Sequence, residues 1–91
     1  MFVVISYDIV SDTRRNRISK ILLDYGTRVQ YSVFECRLTE PQLQEAEQRL
    51  LKVYDECEDT IRIYSLCRSC VSRVQAHGKG EVTQDPEVYI V

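Results

Sequence analysis

The sequence predicts a small α+β domain in which two helices pack on one side of an antiparallel sheet. Two observations lead to this fold class. Short runs rich in β-branched residues alternate with two segments whose apolar residues recur at helical spacing. The chain has 91 residues, of which 44% are hydrophobic and 29% are charged, as in one ordinary globular domain. We therefore expect a single domain over residues 1–91.

The first predicted strand is the apolar run Val3–Ile9, which brings one carboxylate, Asp8, to its end. Shortly afterwards, Asp12 or Ser11 can accept hydrogen bonds from the free N–H groups of a new helix. That helix is predicted over Thr13–Tyr25, with one apolar face at helical spacing. The face comprises Ile18, Ile21, Leu22 and Tyr25.

Two strand-like runs follow, Thr27–Gln30 and Val33–Leu38, and they predict a hairpin or one long bent strand. The second helix is predicted to begin after Thr39, which can act as an N-cap. Pro41 then lies in the first turn, and Gln42 completes a capping box. This helix is predicted to extend to positions 58 and 59. Its predicted buried stripe comprises Leu43, Ala46, Leu50, Val53, Tyr54 and Cys57.

The fourth strand is predicted at Ile61–Cys67, and the segment after it is less regular, with Gly78 and Gly80 indicating a turn. A last short strand is predicted at Glu87–Val91. The resulting order is β-α-β-β-α-β with an appended C-terminal strand. This is the ferredoxin-like arrangement, in which both helices lie on one face of the sheet.

The first strand is largely apolar on both of its faces. Val3, Ile5 and Tyr7 alternate with Phe2, Val4 and Ser6. The face that the helices leave open therefore needs a second layer, and the simplest one is another copy of the chain around a twofold axis. We expect a homodimer through this open sheet face. By the period of two, Asp8 lies on it.

The charge of the chain is unevenly distributed. A net charge of −2 argues against nucleic acid covering most of the surface. Residues 13–28 nevertheless carry five basic residues against one acid, whereas residues 35–60 carry eight acids against three basic residues. A basic zone on an acidic body is compatible with phosphate binding in one defined place. Arg14, Arg15, Arg17 and Lys20 are either such phosphate contacts or a solvated helix face.

Asp8 is the candidate metal ligand. One carboxylate is a poor magnesium site, but two Asp8 residues meeting across a twofold axis could hold hydrated magnesium against a phosphodiester. The arginines that open the first helix would then stabilise negative charge on the phosphates. The alternative is that Asp8 caps a turn or pairs with one of these arginines.

The four cysteines, Cys36, Cys57, Cys67 and Cys70, indicate a functional site less specifically than Asp8 and the basic zone do. No apolar run has the length of a membrane span, and no signal peptide precedes the first strand. We therefore expect a cytoplasmic protein with reduced thiols and no membrane partner. Cys67 and Cys70 form a lone C-x-x-C, to which His77 could add at most one zinc ligand. Buried or idle thiols are the favoured interpretation.

A longer pattern runs through the first two-thirds of the chain. Its parts are Tyr7-Asp8-Ile9, then Arg14, Arg15 and Arg17, then Gly26, and then Arg28-Val29-Gln30-Tyr31-Ser32-Val33-Phe34-Glu35. This pattern resembles the signature of the CRISPR-associated protein two family, small adaptation proteins found beside the CRISPR integrase. The Gln-Tyr-Ser-Val-Phe-Glu string is its most specific part. The segment at 68–91 diverges from the family, in which tail length varies. We therefore expect the core of the domain at residues 1–67 and a variable C-terminal segment at residues 68–91.

The resemblance implies a ferredoxin-like homodimer that acts as a magnesium-dependent endonuclease on single-stranded RNA or on DNA. It also implies an alternative role, as a non-catalytic bridge between integrase dimers that hold spacer DNA. In that role Asp8 is dispensable. The family's functional positions match Asp8, Tyr7, Arg15, Arg17, Arg28, Ser32 and Phe34.

Overall fold

The elements follow the predicted order. In the computed structural model, which describes residues 1–78, the strands are β1 (Phe2–Asp8), β2 (Gly26–Gln30), β3 (Val33–Arg37) and β4 (Thr60–Leu66). The helices of the same range are α1 (Asp12–Leu23), α2 (Glu40–Leu51) and α3 (Arg68–Val71). No helix within these residues is long and apolar enough to cross a membrane.

The sheet is antiparallel and has the strand order β2-β3-β1-β4. This order confirms the ferredoxin-like α+β prediction, because β1 lies in the interior of the sheet between β3 and β4. The two runs after α1 form the predicted hairpin, with a register shift between Arg28 and Gln30. At the C-terminal end of β1, Asp8 pairs with Thr60 of β4.

The two long helices, α1 and α2, begin at side-chain caps. Ser11 is the N-cap of α1, because its Oγ accepts a hydrogen bond from the backbone N–H of Arg14 at 3.3 Å. The predicted capping box of α2 is confirmed, since Thr39 and Gln42 each bond the other's backbone N–H. These caps fix where α1 and α2 begin along the chain.

Helix α2 ends at Leu51, and the prediction that it continues to position 58 was wrong. The carboxylates beyond it offer the backbone other partners. Asp59 accepts a hydrogen bond from the N–H of Asp55 at 2.9 Å, and Asp55 accepts one from the N–H of Cys57 at 2.8 Å. Cys57 therefore lies in an exposed turn and not in the predicted buried stripe.

The main core lies between the two long helices and one face of the sheet. Its fully or almost fully buried residues are Val3, Ile5, Tyr7, Ile9, Ile18, Leu22, Phe34, Cys36, Leu38 and Leu50. Ile21, Tyr25, Leu43, Val53 and Tyr54 pack against them. We call this face of the sheet the helix face. It carries Val3, Ile5 and Tyr7, which form the odd-numbered set of strand one.

We call the other face of the sheet the open face. Among residues 1–78, it is covered at one end only. Val71 of α3 packs on Phe2, so the segment after the fourth strand is more regular than expected. Tyr64 on β4 is 46% exposed. Gly78 has a φ of 82°, which agrees with the predicted turn there. Gly80 and the predicted strand at Glu87–Val91 lie outside the described residues. The division of the domain into a core at residues 1–67 and a variable segment at residues 68–91 stays a prediction.

Candidate functional site

Asp8 lies at the end of β1 with an exposed side chain. It borders two grooves. One is lined by Ser6, Tyr7, Thr60, Arg62 and Tyr64, and the other by Tyr7, Ile9, Arg15, Tyr31 and Ser32. Within residues 1–78, the structure gives the Asp8 carboxylate neither a hydrogen bond nor an ion pair, so its oxygens are free for a ligand. Pairing of Asp8 with a helix-α1 arginine, the alternative raised by the sequence, is therefore not what the structure shows.

Arg14 is held by two acids at the start of β4. Its Nε donates to Oδ2 of Asp59 at 2.7 Å, and its Nη2 donates to Oε2 of Glu58 at 2.9 Å. The Asp59 side chain is fully buried and also accepts a hydrogen bond from the N–H of Val10 at 2.9 Å. The Arg14 guanidinium holds the pKa of Asp59 well below its usual range. These bonds tie the loop after Asp8 to β4.

Arg15 extends over the same loop. It forms an ion pair with Asp12, and its Nη2 donates to the carbonyl oxygen of Ile9 at 2.9 Å. The hydrogen bond with Asp12 raises the pKa of Arg15, so the guanidinium carries its charge at any working pH. Of the three arginines that open α1, Arg15 is the one that shares a groove with Asp8.

Arg17 and Lys20 lie on the exposed side of α1. In the part of the chain that the structure describes, neither side chain makes an ion pair or a hydrogen bond. Neither residue lines the grooves beside Asp8. The four basic residues that the sequence grouped together thus separate into one structural anchor, one residue at the site and two unengaged surface charges.

Three residues named by the resemblance, Tyr7, Phe34 and Arg28, lie on the helix face of the sheet, and of these Tyr7 also lines both grooves beside Asp8. The rings of Tyr7 and Phe34 have centroids 6.3 Å apart, and Phe34 is completely buried. The guanidinium of Arg28 lies 5.4 Å from the Phe34 ring and donates a hydrogen bond to Ser19 of α1.

Tyr7 connects the end of β1 to the hairpin turn. The N–H of Tyr7 donates to the carbonyl oxygen of Ser32 at 3.1 Å, and the Tyr7 hydroxyl lies 3.4 Å from the carbonyl oxygen of Tyr31. The hairpin turn between β2 and β3 is thereby joined to the end of β1. Ser32 itself is partly exposed and lines the groove that contains Arg15.

Strand β4 adds residues that the sequence reasoning missed. Thr60 is the direct partner of Asp8, and Arg62 is the partner of Ser6. Both line the groove on the open face. The alternation of β4 would have placed them on one face, but their position beside Asp8 depends on strand register, which the sequence does not state.

A single chain offers little for a metal ion. Within residues 1–78, no group of three or more His, Cys, Asp or Glu side chains is arranged around one point. The carboxylate of Asp8 and the hydroxyl of Thr60 are hard oxygen donors. They fit a cation such as magnesium, which keeps several waters and needs only one or two protein carboxylates.

Of the two interpretations of the C-x-x-C, buried or idle thiols, burial was wrong. Cys67 and Cys70 are both exposed, and their Sγ atoms lie 3.3 Å apart. Cys36, in contrast, is in the core, where burial raises the pKa of its thiol to about 11. His77 belongs to no metal-binding group of the described residues.

Comparison with known proteins identifies the family of the chain. Residues 1–74 match the family model described as CRISPR associated protein Cas2. The chain belongs to the Cas2 family. It is 45% identical to the CRISPR-associated endoribonuclease Cas2 3 of Chloroflexus aurantiacus over all of this chain and 98% of that protein. The resemblance that the sequence analysis found is confirmed.

Solved structures agree with the fold. The crystal structure of Streptococcus pyogenes Cas2 at pH 6.5 is 36% identical and superposes with a TM-score of 0.77, covering 86% of this chain and all of that one. A chain of a partial Cas6-RT-Cas1--Cas2 complex is 26% identical, with a TM-score of 0.76 and 93% of each chain covered.

Proposed function

We propose that the chain is a dimeric nucleic-acid-binding protein of CRISPR adaptation, with a magnesium-dependent endonuclease site at Asp8. The observation that carries this proposal is the state of that carboxylate. It is exposed between two grooves and has no partner within residues 1–78, while both nearby arginines of α1 are held by other acids. Such a carboxylate is free to bind a cation.

The surrounding side chains suit a phosphodiester substrate. Arg15 lines the groove on one side of Asp8, and Arg62 lines the groove on the other. Each guanidinium can donate two parallel hydrogen bonds to phosphate oxygens. When bound at Asp8, magnesium supplies charge neutralisation and a water of lowered pKa. Ser32, Tyr7, Phe34 and Arg28 then act by fixing the hairpin turn and the end of β1.

The dimer is part of the same proposal. Within residues 1–78, one chain provides a single carboxylate at the site, and these residues cover the open face only at its Phe2 end. A second copy packed on this face would cover it and bring a second Asp8 toward the first. Magnesium shared between two carboxylates fits the one or two protein carboxylates that usually hold this cation, while waters and substrate phosphate fill its other positions.

The substrate class is RNA or DNA. The Chloroflexus relative is called an endoribonuclease, and another relative, from Thermus thermophilus, is called an endonuclease. Both substrates contain the phosphodiester that the two arginines would bind. Because adaptation acts on intracellular nucleic acid, the proposal also places the chain in the cytoplasm.

The test is the cleavage of single-stranded RNA and of duplex DNA by Asp8→Asn, with and without magnesium. This substitution keeps the size of the side chain and removes the charge. We expect a loss of at least about 100-fold in rate, because even indirect metal partners contribute 10–100-fold. Asp24→Asn is the matched control, since it removes an exposed carboxylate on the far end of α1. Full cleavage by a purified Asp8→Asn protein would contradict the nuclease site.

A second function, as a non-catalytic adaptor, is favoured by a specific observation. A Cas2-like chain of the same fold is part of a solved complex that contains Cas1. In this role the chain bridges integrase dimers on spacer DNA, and Asp8 is not needed. The same Asp8→Asn variant separates the two functions in cells. Spacer acquisition that continues without cleavage supports the adaptor, and acquisition that stops supports the nuclease.

A further inference from the structure

Cys67 and Cys70 form a close pair of thiols at the surface. Cys67 precedes α3, and Cys70 lies within this short helix. Their Sγ atoms are 3.3 Å apart, and both side chains are exposed. A disulfide bond has a length of about 2.05 Å, so an approach of roughly 1 Å by two exposed side chains would form it.

We propose that Cys67 and Cys70 are a reversible redox pair, which a small-molecule disulfide oxidises to an intramolecular disulfide. The Cys67 thiolate attacks the small disulfide, forms a mixed disulfide and releases one thiolate. Cys70 then loses its proton and attacks the Cys67 sulfur, which releases the second thiolate. Overall, two protein thiols are oxidised to one disulfide, and the small disulfide is reduced to two thiols.

The surroundings give the two cysteines different roles. The Cys67 Sγ lies 3.2 Å from the Ser69 Oγ. Hydrogen bonds from Ser69 and Cys70 lower the pKa of Cys67 to about 7, whereas contact with Cys67 raises the pKa of Cys70. Thiolate is the reactive form, and a thiol whose pKa is near the ambient pH attacks fastest. Cys67 is therefore the attacking residue and Cys70 the resolving one.

The other two cysteines of the chain lack this arrangement. Cys36 is completely buried in the main core. Cys57 is exposed but has no thiol within bonding distance among residues 1–78. In reducing compartments, protein disulfides are usually transient and serve catalysis or redox sensing. Exposure and pairing thus select Cys67 and Cys70 from four candidates.

The position of the pair links its redox state to the open face. The turn between the cysteines continues directly into Val71, which covers Phe2 at one end of that face. A disulfide would fix the turn that carries Val71. The pair is therefore a modification site at the rim of the surface that we propose for the second copy.

The test uses the full chain with the Cys57→Ser substitution, reduced and then equilibrated with mixtures of reduced and oxidised glutathione. Free thiols are alkylated, and the intact chain and its peptides are weighed. We expect Cys67 and Cys70 to lose reactivity together and the chain to lose the mass of two hydrogens. Adding Cys70→Ser should instead trap glutathione on Cys67, and Cys67→Ser should leave Cys70 slow to react.

Three outcomes would overturn the proposal. One is that both thiols stay alkylatable in a large excess of oxidised glutathione. Another is that they react independently, each to a mixed disulfide. The third is that only disulfides between chains form. The wild-type chain provides the final control, because oxidation at Cys67 and Cys70 should be the same with Cys57 present.

Discussion

The two faces of the sheet differ in how deeply their side chains are buried. On the helix face, Val3, Ile5 and Phe34 are completely buried under α1 and α2. On the open face, Asp8 and Tyr64 are exposed, and the part of the chain that the structure describes covers only the Phe2 end. Stability therefore comes mainly from one face, while the polar groups of the proposed site lie on the other face and along its edge. The same strand, β1, serves both by alternation.

This division separates residues that the family pattern groups together. The resemblance names both Phe34 and Asp8 as functional positions, yet Phe34 is in the core and Asp8 is exposed to solvent. Substitutions on the two faces should fail in different ways. A change on the helix face should unfold the chain, and a change at Asp8 should leave it folded and inactive.

The largest effect on stability is expected from Phe34→Ala. Removal of a fully buried aromatic ring leaves a cavity between the sheet and α1, and such changes lower the free energy of unfolding by about 3–5 kcal/mol. Denaturant unfolding followed by circular dichroism measures the loss. Tyr31→Ala is the control, because this ring is 72% exposed and surface changes cost about 0.5 kcal/mol or less. Equal losses in the two variants would remove the contrast between buried and exposed positions.

A smaller, pH-dependent effect is expected from Asp59→Asn. The pKa of Asp59 is lowered in the folded chain, so its charge stabilises the fold above the unfolded pKa of about 4. That contribution is lost as the pH falls below this value through the folded pKa. The difference in unfolding free energy between wild type and variant should therefore be constant near pH 7 and shrink in acid.

Unfolding at neutral pH and in acid measures this difference. The comparison variant is Asp12→Asn, whose carboxylate is exposed and pairs only with Arg15 on the same helix. It should cost less stability than Asp59→Asn at neutral pH, because exposed pairs contribute little. A penalty for Asp59→Asn that grows in acid would show that the carboxylate does not act as a charge.

The sequence predicted what depends on local chemistry. The capping residues Thr39 and Gln42 predicted the start of α2. The alternation of side chains along β1 placed Val3 and Ile5 on one face, which is the core face. The end of α2 was wrong, because the hydrogen bonds of Asp55 and Asp59 compete with helical ones, and spacing alone does not reveal them. The pairing of Arg14 with Asp59 joins residues 45 positions apart, and only the fold brings them together.

The same limit applies to the candidate site. Asp8 could be selected from its place at the end of an apolar strand. The helix-α1 basic residues looked equivalent, because each is a cation on one helix. The fold distinguishes them through partners on other elements and in the preceding loop. Arg14 bonds the acids before β4, and Arg15 bonds the loop, while Arg17 and Lys20 stay unengaged within the described residues.

The smallest effect is expected from the double change Arg17→Gln and Lys20→Gln. Both side chains are exposed, so the fold should be unaffected. If they contact phosphates, the double variant should bind nucleic acid more weakly, and the salt dependence of its affinity should fall by about one contact per residue. Affinity measured across a series of salt concentrations gives this slope. Cleavage at saturating substrate should be unchanged, because neither residue lines the grooves beside Asp8.

Arg49→Gln is the matched control, because Arg49 is a cation that pairs with Asp24 and Tyr25. Its loss should leave the salt slope as in the wild type. Arg62→Gln gives the contrast on the open face, where it should reduce cleavage more than binding. If the double variant and Arg62→Gln change the salt slope and the cleavage rate alike, nucleic acid contacts helix α1 and the open face of the sheet equally. If only Arg62→Gln changes the slope, the phosphate contacts lie on the open face and the charges of α1 are a solvated surface.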